Sequence, residues 1–112
     1  MKNIADRHWQ ILALLEAMGE PVGAEQLSAL ASMDGASLQE FLRAGLDSGM
    51  VTIHADGGIS LAPDLPVEIL RRLGTINTKE RVSLMARKVM ELGLQETIPA
   101  RATVSLLARA GR

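Results

Sequence analysis

The sequence predicts a mainly α-helical fold carrying one small β-hairpin, and three observations support it. Apolar residues recur at three- and four-residue spacing in successive segments, each closed by a glycine or a proline. Midway along the chain, two short β-prone runs flank Ala55-Asp56-Gly57-Gly58. The 112 residues, 47% apolar and 22% charged, suit one small folded core; they are too few for two ordinary domains and too apolar for a disordered chain.

Ile4, Ile11, Leu12, Leu15 and Met18 fall on one helical stripe with His8 in its gap, which predicts an amphipathic first helix stopped by Gly19-Glu20-Pro21. A short second helix follows from Ala24 to Ala31, with Leu27, Leu30 and Ala31 facing inward. Ser32 to Ala36 reads as a turn in which Asp34-Gly35 supplies a left-handed position cheaply. Ser37, with Glu40 three residues later, forms a capping box opening the third helix; Leu38, Phe41, Leu42 and Leu46 make its buried face, and Gly49 ends it. Met50 to His54 and Ile59 to Ala62 then form the hairpin. Beyond Pro63 and Pro66, a helix runs from Pro66 or Val67 through Leu73 and is closed by Gly74. Thr78, Arg81 and the pattern Val82, Met85, Val89, Leu92 predict a longer helix ended by Gly93, and Pro99 with Ala100, Val104, Leu107 and Ala108 a last one.

Three helices and a hairpin, with a short turn between the second and third helices, is the order of a winged helix–turn–helix domain. That domain is expected over residues 1–64, and residues 65–112 form a helical extension: an arm, a repeat-like array or a dimerisation element. The last two helices carry apolar stripes in excess of what a winged core covers, so a partner, a second copy of the chain or further chain is expected to complete their burial.

Charge divides along the same line. Residues 1–64 hold three cations against nine carboxylates, a net of −6, and residues 65–112 hold nine against four, a net of +5. Such a split marks a basic nucleic-acid surface, two parts that attract each other, or partners on either side. There is no cysteine, which removes disulfides, thiolate nucleophiles and cysteine-ligated metals. The two histidines, His8 and His54, have no ligand-like spacing, neither glycine-rich segment ends in the Lys-Ser/Thr of a phosphate loop, and no nucleophile sits with a base. The expectation is a non-enzymatic chain without cofactor or metal. No apolar run approaches a membrane span, and the first residues lack a signal-peptide core, so a cytoplasmic location without membrane contact is expected.

In a winged domain the third helix commonly enters the major groove while the wing touches the backbone, which needs Lys and Arg on both. Here Ser37 to Ser48 sets Arg43 against Glu40 and Asp47, and the wing tip, Ala55 to Gly58, has no cation. The sequence therefore favours a regulatory module that binds a protein partner in signalling or transcription control, through Gln39, Glu40, Arg43 and Asp47 and through a basic arm of Arg71, Arg72, Arg87 and Lys88. The alternative is a DNA-binding transcriptional regulator, dimeric through its C-terminal helices, with Ser37, Gln39, Arg43 and His54 at the nucleic acid.

The chain also resembles the winged-helix segment and first helical repeats that follow the nucleotide-binding core in STAND-type signalling ATPases and related large regulators. The similarity lies in Phe41-Leu42-Arg43-Ala44-Gly45-Leu46, in Asp64-Leu65 after the wing, in Glu68 and Leu70, in Arg81 and Leu84, and in Leu107-Ala108-Arg109-Ala110-Gly111, covering roughly Ala24 to Gly111. It departs at Leu61 and Pro63, where an aromatic and a histidine often stand, and at Met85, where a histidine does. The resemblance implies a piece, or a free-standing relative, of a larger regulator. It further implies that the winged unit is a mechanical and interaction element, that the trailing helices begin a repeat array, and that any ATPase activity lies elsewhere.

Overall fold

The computed structural model describes residues 6–111. Among them, six helices and a two-stranded antiparallel sheet follow in the order α1 (Asp6–Met18), α2 (Ala24–Ala31), α3 (Gly35–Asp47), β1 (Val51–Ile53), β2 (Ile59–Leu61), α4 (Val67–Ile76), α5 (Lys79–Glu91) and α6 (Ala100–Arg109), with a 3-10 turn at Leu94–Glu96. The mainly helical class and the small hairpin are as the periodicity predicts. No helix among the described residues is long and apolar enough to cross a membrane.

The expected single stripe on α1 is the first correction. Nine of its thirteen residues are buried, because the helix is packed from two opposite directions. Trp9, Ala13, Glu16 and Ala17 lie on one face and meet α4, Asn77 and α6. On the opposite face His8 meets Phe41 of α3, edge to face with ring centroids 5.5 Å apart. Ile4, assigned to the same stripe, lies outside the described residues. One apolar core draws on both sequence segments, from Trp9 to Ala110.

Helix α2 has the predicted bounds, with Leu27 and Leu30 buried and Ala31 half-buried. The turn after it differs from expectation. Ser32, not Gly35, takes the left-handed conformation (φ 54°), and Gly35 is already the first residue of α3. The cap is Asp34 rather than Ser37: its Oδ1 accepts the Ser37 amide at 2.7 Å. An aspartate three residues before a free amide satisfies one of the orphan N–H groups of the first turn, so the serine becomes a helical residue instead of the cap. The inward line of α3 is Leu38, Phe41 and Gly45, while Leu42 is half-buried and Leu46 points outward, 48% exposed. Gly45 takes the inward place because β1 comes so close that a Cβ there would sit 2.6 Å from Val51 Cγ2.

The hairpin pairs Val51 with Leu61, Thr52 with Ser60 and Ile53 with Ile59. Val22, between α1 and α2, adds a bridge to the other edge of β2: its amide donates to Ile59 O at 2.9 Å and its carbonyl accepts from the Ile59 amide at 2.8 Å. This bridge has no signal in the sequence, being a single residue. It ties the sheet to the α1–α2 connection.

Helix α4 runs through Gly74 to Ile76, three residues past its expected end at Leu73. The stop is set instead by Asn77, a buried side chain whose Nδ2 donates to Ala13 O at 2.7 Å and to Glu16 Oε1 at 3.3 Å. Gly74 is exposed inside the helix. Helix α5 starts where the sequence predicts it, and Thr78 is its cap, accepting the Arg81 amide at 3.3 Å. Ala86 joins Val82 and Val89 on its buried side, whereas Met85 is half-buried and Leu92 exposed. In α6 the expected stripe is out of register. Ala102, Leu106 and Ala110 are buried, while Val104 is 63% exposed and Ala108 also faces out. The two alanines of that line let α6 lie close against its neighbours, which Val104 would prevent.

Candidate functional site

The outer surface of α3 and the hairpin collects four of the predicted residues, Gln39, Glu40, Arg43 and Asp47, all exposed. Asp34 caps the helix from below; the Ser37 amide, first among its partners, holds its carboxyl below the ordinary range. Arg7 reaches across from α1 and donates to Glu40 Oε1 at 2.6 Å. That pair is exposed on both sides and contributes little to stability. Leu46 contributes an exposed apolar patch on the same helix. Strand alternation puts Ile53, 43% exposed, on the same side of β1 as Val51, which packs on Gly45. The surface is thus a mixed one, with apolar Leu46 and Ile53 among charges of both signs.

At the hairpin, His54 Nε2 lies 2.8 Å from Ser60 Oγ, so the ring is held to its own sheet. Asp56 bends back, its Oδ1 accepting the Gly58 amide at 2.9 Å. Ser37 is half-buried. Of the residues expected to meet nucleic acid, Gln39 and Arg43 are presented outward, whereas Ser37 and His54 are turned to local contacts.

The basic arm is divided in the same manner. Arg71 and Arg87 are exposed on α4 and α5. Arg72 lays its guanidinium over the Trp9 ring, 4.0 Å from the centroid, a cation–π contact. Lys88 is half-buried, its Nζ donating to Leu30 O at 2.8 Å and to Ser32 Oγ at 2.7 Å, which caps the C-terminus of α2. Arg72 remains exposed while resting on the ring, whereas Lys88 is absorbed by α2. Lys88 is drawn in because α2 has no basic residue in its last turn, and its orphan carbonyls take a donor from later in the chain.

Sequence reasoning missed the strongest polar contact. Arg109 on α6 forms a bidentate pair with Glu16 and also donates to Glu16 O at 3.2 Å, while Ser105 Oγ donates to Ala17 O at 2.8 Å. Burial pushes the Glu16 carboxyl up, but hydrogen bonds from Arg109 and Asn77 and the Arg109 charge outweigh it, leaving the pKa below its ordinary value. The Arg109 pKa is raised by the same pairing. The opposite charges of the two chain segments were the available signal. Among the described residues no group of three or more His, Asp or Glu side chains is placed to hold a metal ion. Comparison with protein-family models, with curated proteins and with solved structures finds no significant match to the chain.

Proposed function

We propose that the chain is a non-enzymatic regulatory module of the winged helix–turn–helix kind, which acts by binding a protein partner through the outer face of α3 and the hairpin. The element order supports the winged reading, above all the Val22 bridge that ties the sheet to the connection before α2. The observation that carries the function is the composition of that face. Exposed Leu46 on α3 and Ile53 on the hairpin accompany exposed Gln39, Glu40, Arg43 and Asp47, a mixture of apolar and charged side chains that suits a protein surface. A phosphate backbone would meet Glu40, Asp47 and Asp56 there with Arg43 as the main counterweight. The partner is another protein or the remainder of a larger regulator, in keeping with the resemblance to STAND-type regulators. Its setting is signalling or transcription control.

Leu46→Asp tests the reading, since an exposed residue can be charged without unfolding the chain. A protein retained by the wild type, with a measurable dissociation constant, and lost by folded Leu46→Asp supports it. The DNA-binding reading is favoured by one observation, the exposed Leu84 and Val104 on α5 and α6, which suit a second copy of the chain. Retardation of duplex DNA at about 50 mM salt, weakened by Arg43→Ala and falling steeply as salt rises, would establish that reading in place of the first.

A further inference from the structure

We propose that the cleft where α1, the end of α2, the start of α3 and α5 meet is a binding site for a small organic acid, with an apolar body and a single carboxylate. Its volume is about 390 Å³, inside the range of small-molecule sites. Leu14, Leu30 and Met85 form an apolar wall, and no carboxylate side chain lines it.

Two nitrogens of the lining are the polar end of the site. His8 is 7% exposed, and its Nε2 is buried without a hydrogen-bond partner. Arg81 Nε is likewise buried and unpartnered. Arg81 Nε is a donor, and His8 Nε2 is one in the tautomer that carries its proton there; buried donors are almost always satisfied, so the two orphans point to a missing acceptor. The acceptor these donors fit is an anion with more than one oxygen, because Arg81 carries its charge in a planar fork and has no carboxylate partner among the described residues. Arg7, at the rim, is already paired with Glu40, and Lys88 is spent on the α2 carbonyl, which leaves Arg81 as the anchor. A smaller lobe of about 160 Å³ lined by Leu14, Leu30, Leu84 and Met85 continues past Arg81 and extends the apolar wall for the ligand's body. The lobe, like the main cleft, is set apart from exposed Leu46 and Ile53, so the site stands or falls independently of the protein-docking face.

His8 adds a spectroscopic handle. Burial first, then the Arg7 charge, holds its imidazole below the ordinary pKa against the opposing charge of Glu40 on α3. Both causes favour the neutral ring, and a carboxylate arriving beside it will raise its pKa.

The test is calorimetric titration of the full chain with octanoate, using acetate and 1-octanol as controls, alongside NMR titration of the His8 ring. Octanoate is expected to bind at least about tenfold more tightly than either control, and to move the His8 pKa upward. Arg81→Gln should weaken octanoate by about tenfold or more while leaving octanol unchanged. Arg81→Lys, which keeps the charge but loses the Nε donor, should fall between the two. Equal binding of octanol and octanoate to the wild type would reduce the cleft to a greasy groove and overturn the proposal. An absence of octanoate binding, a static His8 pKa, or undiminished octanoate affinity in the folded Arg81 variants would do the same. The octanol comparison needs no variant, so a substitution that fails to fold does not spare the idea.

Discussion

On one face of α1, polar donors from Asn77, Ser105 and Arg109 reach Ala13, Glu16 and Ala17, whereas on the opposite face His8 meets the Phe41 ring and β2 packs without such bonds. The contrast shows where the charge of the chain is used. Carbonyls in the last turn of α1 and α2 have no intrahelical donor, and neither helix has a basic residue nearby. Lys88 of α5 and Arg109 of α6 fill that need, and Arg109 also pairs with the Glu16 carboxylate, a use of cations of residues 65–112 against residues 1–64. The outer surface of α3 has no such internal customer beyond the Arg7–Glu40 pair, and its charges are left for something outside.

The comparison can be broken hardest on the apolar side. Phe41→Ala should cost about 3–5 kcal/mol in chemical denaturation, because the ring is fully buried and its loss leaves a cavity. A loss below about 1 kcal/mol would mean that α3 does not hold α1 as described.

On the clasp side, Arg109→Met should cost about 2 kcal/mol at neutral pH, since Glu16 is left half-buried without its partner. Here the pH dependence sharpens the contrast. Glu16 has a folded pKa below its ordinary 4.5, so its contribution is complete above that value and is lost as pH falls through the folded pKa. The gap between wild type and Arg109→Met should therefore close below about pH 4.5, while the Phe41→Ala gap does not close with it. A gap that stays constant down to pH 3 would show that Arg109 acts by packing alone.

The smallest effect belongs to Lys88→Met, about 1 kcal/mol, from the lost α2 cap. It is expected as early hydrogen exchange in the last turn of α2, before global unfolding. Exchange unchanged there would remove Lys88 from the clasp.

Much of the architecture is legible in local pattern. The bounds of α2, the hairpin, the start of α5 and the class of fold follow from spacing and turn residues, all set by neighbours in the chain. The outward group Gln39, Glu40, Arg43 and Asp47 is equally legible, because four polar residues on one side of a strongly amphipathic helix have nowhere else to go. The Gly74 stop failed for a reason that periodicity does not carry. An exposed glycine only weakens a helix, whereas Asn77 ends this one by bonding to a carbonyl sixty-four residues away.

The same limit governs the rest. Helix positions, turn sites and the anionic character of the α3 face are properties of short stretches, and a stretch reads the same in any surroundings. Which side of α1 or α6 is inside, whether Arg72 and Lys88 are presented or absorbed, and the cleft around His8 and Arg81 depend on which elements arrive from far along the chain. A buried face is defined by what covers it, and an orphan carbonyl by who reaches it.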